Sequence, residues 1–424
     1  MQALNQGGVN QLASAGAIDR VFRSIAANTT NNANNSGTLI GSTGFTTGQA
    51  AAAGISPTFL NATSQLLTLL SDAELIAAVN SLSPEPYAAF QSVGLDTLKR
   101  QRELLLSQAG NCAKTGWVVN APNRRTGQTG KQPLCVFAQA NNATSNISGS
   151  AGLSGYNSGI FSSYYGIEYK PSQKWTIGAA YGYGTSYLNA MTLTNASVSS
   201  DVNSGSIYGT YKPSDKWNVR GLIGYANFNL SGRRSTAFID NGSTLQAAPS
   251  SNGFTLALNT DYTINISKAS ATTQTYLKPL LGLAWGSYQQ SGFSETGSDA
   301  LNLNVQGHTA NSLIGTIGLE VAASPIPLNK RKTVSVTPRL AVAYQVDALA
   351  GAAGTKELTS SFQAAPAAGD FTTQGENRGV NAFVVDGGVD VAIAKNTSVY
   401  ANVGYEVFAT GGQLTYGGGM KMRF

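Results

Sequence analysis

Residues Leu414 to Phe424 close the chain with L-T-Y-G-G-G-M-K-M-R-F. Leu414, Tyr416, Met420, Met422 and Phe424 share one parity, and Thr415, Gly417, Gly419, Lys421 and Arg423 share the other. Successive side chains of a strand point to opposite faces. One face here is therefore greasy and the other small or charged. Apolar-out with polar-in is the pattern of a transmembrane β-barrel strand, the reverse of a soluble barrel with a packed core. One such strand is a weak signal, since a soluble edge strand can alternate over about ten residues by chance. The rest of the chain has to carry the reading.

Working back from the C-terminus, the period of two persists to Leu134. Strands are expected at Val399 to Val407, Phe383 to Ile393, Val334 to Val346, Leu313 to Val321, Tyr276 to Tyr288 and Phe254 to Ile266. Trp175, Ile177, Ala179, Tyr181 and Tyr183 alternate with Thr176, Gly178, Ala180, Gly182 and Gly184, so the inward side of that strand is small. The hairpin Tyr169-Lys170-Pro171-Ser172-Gln173-Lys174-Trp175 recurs as Tyr211-Lys212-Pro213-Ser214-Asp215-Lys216-Trp217. Tyr and Trp beside a tight turn suit an interfacial aromatic girdle, because their rings prefer the headgroup level while the turn stays in water. With a first strand near Leu134 to Ala140, the total is about twelve, an even number within the range of bacterial barrels. Short connections near Pro171, Pro213, Lys268, Asn329 and Lys395 alternate with long ones near Asn195, Ser235 to Ser251, Gly292 to Gly307 and Ala350 to Arg378. Short periplasmic turns and long outer loops give that asymmetry.

Composition agrees. Only 11% of residues are charged, too few for a disordered chain of this kind. No run approaches the 18 or more apolar residues of a membrane helix, so any crossing must be made by strands. The net charge of +6 is modest, and basic residues cluster only at Arg124-Arg125 and Lys330-Arg331-Lys332, which argues against nucleic acid as a partner. Cys112 and Cys135 are the two cysteines; they could form a disulfide in an oxidising periplasm or remain thiols. With a single His308 they cannot make a four-ligand zinc site, and no cofactor is expected. Met1 is followed by neither a basic start nor an apolar core, so the chain is expected to be the C-terminal part of a longer exported precursor.

The first 110 residues read differently. Residues 1 to 20 hold a weak amphipathic helix, and Ala26 to Gly54 reads as a linker unable to bury a core. Helix starts are written at Ser56-Pro57 and at Ser71-Asp72-Ala73-Glu74. Ser83-Pro84-Glu85 opens a longer helix to about Gly110. Roughly 24 residues at ~1.5 Å each give about 36 Å, enough to traverse a bilayer core. Lys99, Arg100, Arg102 and Glu103 make lipid contact costly, so the helix belongs inside a barrel or against a soluble neighbour.

Together these features resemble the translocator domain of autotransporters, the type V secretion family. The resemblance rests on Leu75 to Ala89, with Leu82-Ser83-Pro84-Glu85-Pro86-Tyr87-Ala88-Ala89 ahead of a helix, on the repeated hairpins, and on the terminal Met422-Arg423-Phe424. It covers roughly residues 60 to 424. It implies an all-β transmembrane barrel of about 12 antiparallel strands, preceded by a helical segment and a pore-threading α-helix. Residues 1–60 would then be the passenger end or a linker, 61–110 the helical segment with the pore helix, and 111–424 the barrel. Gly419, Met422 and Phe424 resemble the terminal signal read by the barrel insertion machinery of bacterial outer membranes. The implied function is to anchor and export a covalently linked N-terminal passenger to the surface of a Gram-negative cell, as a monomer served by that machinery and by periplasmic chaperones. Some members cut themselves between adjacent Asn residues of the pore helix. No Asn pair lies between Pro84 and Leu106, so that cleavage is not expected.

Parity points Glu168, Asp261, Glu320, Asp386, Asp390 and Glu406 into the lumen, where Lys99, Arg100 and Arg102 of the helix are expected to pair with them. The competing readings are a porin-like channel plugged by its N-terminal helix, an enzyme and a surface adhesin. The first needs a charged constriction loop, for which Ala350 to Arg378 is the long candidate, though it is mostly Ala, Gly, Ser and Thr. An enzyme would have His308 as its only imidazole base, in a loop and without a G-x-S-x-G elbow. Asp386 and Asp390 are better read as lumen residues than as a glycosidase pair. The adhesin reading has no ligand written in the sequence.

Overall fold

The computed structural model describes residues 8–31, 44–69, 71–110, 134–150, 152–268, 273–329, 334–351, 356–394 and 396–424. Twelve long strands form the wall: β1 (Leu134–Ile147), β2 (Tyr156–Tyr169), β3 (Trp175–Asn189), β4 (Ala196–Tyr211), β5 (Trp217–Ser235), β6 (Ser250–Tyr262), β7 (Thr275–Gln290), β8 (His308–Ala323), β9 (Ser335–Asp347), β10 (Asn381–Ala394), β11 (Thr397–Phe408) and β12 (Gly411–Arg423). Each pairs antiparallel with its sequence neighbour, and β12 returns to β1, so the sheet has no open edge. Closure leaves every wall strand with partners on both sides, the condition for spanning hydrocarbon. The terminal stretch is the closing strand. Met422 stands opposite Val136 and Gly419 opposite Gln139. The Phe424 amide donates to the Leu134 carbonyl at 2.8 Å.

The alternation read from the sequence holds along the wall. Ile207, Ile223, Leu283, Ile317 and Val403 are exposed outward, while Ser206, Thr255, Ser287 and Gln413 are buried inside. Tyr169, Trp175, Trp217 and Tyr262 ring the short-turn end. Toward the other end, the Tyr181, Tyr225 and Tyr344 hydroxyls donate to Asn203, Asn252 and Asn381 on neighbouring strands at 2.6, 2.6 and 2.8 Å. These phenols keep a polar tip outside an apolar body, as an interfacial ring requires.

At the long-loop end the strands continue past the wall and meet the N-terminal helices. Short strands Phe293–Ser294, Leu303–Val305, Glu357–Phe362 and Phe371–Gln374 form a second sheet in that order. Helices α1 (Val9–Asn31), α2 (Thr47–Ala52), α3 (Pro57–Ser64) and α4 (Asp72–Ser81) cover it. Local chemistry starts each of the shorter three. Thr46 with Gln49 and Ser71 with Glu74 form reciprocal capping boxes, and Ser56 caps α3 ahead of Pro57. Ile18, Val21 and Ile25 of α1 and Phe59 and Leu60 of α3 bury against Leu301, Leu303, Phe362 and Phe371. The Phe59 and Phe362 rings sit 5.0 Å apart, edge to face. Each fully buried side chain of this size contributes roughly 1.5–3 kcal/mol.

Two expectations change here. The stretch Ala26 to Gly54 is not only linker: α1 runs to Asn31, and α2 buries Ala50. Its residues are too small and polar to show an apolar period, and the core they join is supplied mostly by the loops of the wall. Four of the strands expected between Phe254 and Val407 are shorter than those observed, most of all Leu313 to Val321 within β8, because their ends leave the lipid zone and lose the greasy face that marks them, whereas Phe254 to Ile266 and Val334 to Val346 equal β6 and β9 in length and are only displaced along the chain.

Candidate functional site in the barrel lumen

Helix α5 (Glu85–Gln108) fills the lumen. It begins at the long-loop rim, where the Ser83 hydroxyl accepts the Glu85 amide at 3.2 Å, and ends at the short-turn rim, where the Gly110 amide donates to Glu168 at 3.2 Å. It fits because one partner at each close contact is glycine. Leu98 lies against Gly253 and Tyr87 against Gly232. Gly94 faces the Tyr288 ring so closely that a Cβ there would sit 2.5 Å from it. Near the short-turn end Leu105 and Leu106 join Phe137, Tyr164, Tyr208 and Leu222 in a separate apolar cluster. Polar contact is retained between them, the Gln101 amide donating to Ser206 at 2.8 Å.

Charge is concentrated at mid-helix. Lys99 donates to both oxygens of Glu406, at 2.6 and 2.7 Å, and Arg100 to one of them at 2.8 Å. Arg378, from the loop between β9 and β10, pairs with the same Glu406 and with Asp96 of the helix. Arg100 also reaches Glu103 at 3.0 Å and Gln413 of β12. Three cations thus meet Glu406, Asp96 and Glu103, a neutral set in which each buried charge has a partner. The Arg378 guanidinium also lies 4.6 Å over the Phe408 ring. Buried pairs of this kind fix geometry; their desolvation offsets much of the attraction.

The other acids expected to meet the helix do not. Asp261 pairs with Arg220, Glu320 with Lys278, Asp386 with Arg339 at 2.8 Å and Asp390 with Lys421 at 2.8 Å, all within the wall. Glu168 receives the amide of Gly110 at the end of the helix. Arg102 is buried against Gly286 of β7 and makes no ion pair among the described residues. The reason is spatial. The helix leans on one side of the lumen and leaves a cavity of ≈ 230 Å³ lined by Arg100, Glu103, Arg220, Glu320, Arg339 and Asp386, so those wall acids are nearer to wall cations. The parity rule that located the acids also places Arg220, Lys278, Arg339 and Lys421 inside, and the sequence reading gave these cations no part in the pairing.

A second polar centre locks the long-loop rim. Arg234 is buried and binds Glu295 through two bonds of 2.7 and 2.6 Å, while donating to the carbonyls of Ser81 at 2.7 Å and Leu301 at 2.9 Å. Tyr87 of α5 donates to Glu295 at 3.2 Å, and burial raises its phenol pKa above the ordinary range. Beside it, beyond the spanning strands, Glu85 accepts from the amide and hydroxyl of Ser154. Burial pushes the Glu85 carboxyl up to about 7, against the lowering effect of the Ser154 bonds, with nearby Glu376 adding to the rise. Sequence offered no signal for Arg234, Glu295, Glu85 or Arg378, since three of them lie on connections or strand ends that read as solvated.

The remaining expected residues are placed as follows. His308 opens β8 opposite Gln290. Cys135 on β1 is not a free thiol, and Cys112 lies outside the described residues.

The autotransporter beta-domain family model matches residues 136–404. The chain is similar to the translocator domain of NalP from Neisseria meningitidis, with 18% identity and a TM-score of 0.55, covering 79% of this chain and 99% of that one. It is also similar to the transport unit of AIDA-I from Escherichia coli, with 15% identity, a TM-score of 0.50 and coverage of 76% and 97%. The beta domain of BrkA from Bordetella gives 14% identity, a TM-score of 0.50 and coverage of 69% and 99%. No curated protein matches. With the closed twelve-stranded wall and the matched residues, the chain belongs to the autotransporter family, whose β-barrels reside in the Gram-negative outer membrane.

Proposed function

We propose that this domain anchors and exports a passenger joined ahead of α1, and that α5 is the part of the exported chain left in the pore. The observation that carries the reading is the course of α5, which crosses the wall inside its own barrel from the long-loop rim to Glu168 at the short-turn rim. By the outer-membrane rule the short turns are periplasmic, so the segment before α5 lies outside the cell. In this reading Glu406, Lys99, Arg100 and Arg378 seat the helix once export ends, and α1 to α4 close the outer mouth. Residues 8–81 then serve as the junction between passenger and barrel. Gly419 and Met422, on the strand that closes the barrel, and Phe424 just after it would be read by the insertion machinery after periplasmic chaperones deliver the chain. The domain acts as a transport unit and performs no chemistry of its own.

The test is a fusion of an export signal and a reporter ahead of Met1, expressed in a Gram-negative host. Protease added to intact cells should remove the reporter and leave the barrel in the membrane. A protected reporter on an inserted barrel would overturn the translocator reading and favour a channel plugged by its N-terminal helix.

A further inference from the structure

The short-turn end of α5 is held at one place on the wall. The Arg220 guanidinium of β5 donates to the Leu106 carbonyl at 3.2 Å, which sets a cation at a helix C-terminus. Just past the last turn Gly110 takes a left-handed backbone, φ +71°, and a Cβ there would lie 3.0 Å from the Thr210 hydroxyl of β4. Thr210 stands directly opposite Arg220. The Gly110 amide donates to Glu168 of β2 at 3.2 Å. Glu168 is in turn the ladder partner of Cys135 on β1, and both side chains are buried. Partners on neighbouring strands lie about 5 Å apart, so one carboxylate links the end of the exported segment to the foot of the first wall strand.

Cys135 is disulfide-bonded, and Cys112 is the only other cysteine in the chain. Along the sequence only Asn111 separates Gly110 from Cys112, a path of at most about 7 Å. A disulfide joins Cα atoms roughly 4.4–6.8 Å apart. What such a bond changes is the length of chain between α5 and the wall. By the peptide backbone, residues 111 to 133 lie between Gly110 and Leu134. At ~3.4 Å each they reach roughly 80 Å, about twice the ~36 Å length of the 24-residue helix. A pull from outside can take up that length and draw α5 through the pore, against non-covalent contacts alone. Through a bond to Cys135 the same path is two residues long.

We propose that Cys112 is the partner of Cys135 and that their disulfide is a stop on outward travel, fixing Gly110 beside Glu168 so that α5 cannot be drawn out of the barrel. The stop rests on the export reading; the bond does not. It forms with a periplasmic oxidant that carries its own disulfide. The Cys112 thiolate attacks that disulfide, the Cys135 thiolate displaces the mixed disulfide, and the oxidant leaves as a dithiol holding the two electrons and two protons.

The full chain, with a handle fused ahead of Met1, would be inserted in a supported bilayer and drawn from its outer face with and without a thiol reductant. Mobility on an unheated gel confirms a closed barrel beforehand. The unreduced protein should reach its limit roughly 70 Å short of the reduced one, the extended length of the bypassed residues. Cys112→Ser with Cys135→Ser should reach the longer limit without reductant. A non-reducing tryptic digest should yield the Cys112 and Cys135 peptides as one linked species. Equal limits with and without reductant, or Cys112 alkylated as a free thiol in the unreduced protein, overturn the proposal. The reporter assay reads export separately: a protected reporter alongside the linked peptides removes the stop together with the transport reading and leaves the bond in place.

Discussion

Glu406 holds the helix by one carboxylate shared among Lys99, Arg100 and Arg378. Glu406→Gln leaves three buried cations facing only Asp96 and Glu103, and breaking a buried pair costs about 3–5 kcal/mol. In planar bilayers this variant should show larger and more frequent conductance steps than the parent. Lys99→Gln with Arg100→Gln should do the same, whereas Arg102→Gln should not, because Arg102 makes no ion pair among the described residues. If Glu406→Gln and the Lys99→Gln, Arg100→Gln double variant are no more conductive than the parent, charge pairing is not what seats the helix. Glu85 gives a pH dependence of the opposite sense to an ordinary carboxylate. Its folded pKa of about 7 lies above the usual 4.5, so the folded state keeps a proton that the unfolded state has released. Its contribution is full below about 4.5 and lost as pH rises through about 7, on the order of 3 kcal/mol in all. Protease added to the membrane-inserted protein should cut α1 to α4 faster at pH 8 than at pH 5, and Glu85→Gln should flatten that difference. At this scale the sequence was only partly legible. Parity in a strand reports which side a residue faces, and Glu406 and Glu168 are both buried. It does not report where on the circumference a helix leans, and so could not tell that Asp261, Glu320, Asp386 and Asp390 meet wall cations instead.

Helix α5 depends on shape as much as on charge. Gly94 admits the Tyr288 ring, and Gly94→Leu would overpack the contact by 1–3 kcal/mol or more. The variant should insert as a closed barrel yet conduct as though unplugged, and Gly94→Leu with Tyr288→Ala should recover the closed state. Helix starts were readable where the cap is a local device, as at Ser56, Ser71 and Ser83. Helix α2 was not, because its capping box opens only six residues and its one buried side chain is Ala50. The wall strands were readable for a simple reason. Lipid on one side and a polar lumen on the other force each strand to declare both faces, whereas the short outer strands such as Phe371–Gln374 pack on helices written far away in the chain.

The molecule as a whole is a barrel with its own N-terminal segment folded over the outer mouth, joined at Arg234. Arg234→Ala strands the Glu295 carboxylate in a dry core and frees the carbonyls of Ser81 and Leu301, at a cost of about 3–5 kcal/mol. The expected outcome is a barrel that still resists heat and protease while α1 to α4 become cleavable; equal resistance of both regions to the parent would show that the outer cover does not hang on this pair. One contact in that cover has a mechanical side. The Asn10 side chain bonds both the amide and the carbonyl of Gln374, each at 2.7 Å, and Arg20 bonds the carbonyls of Ala368 and Asp370. Drag on anything tethered ahead of α1 in flowing liquid therefore meets the rim between β9 and β10 before it reaches the pore. The tether is strained in shear across several bonds at once, and α5 stays slack, a stopper shielded from the pull of its own cargo.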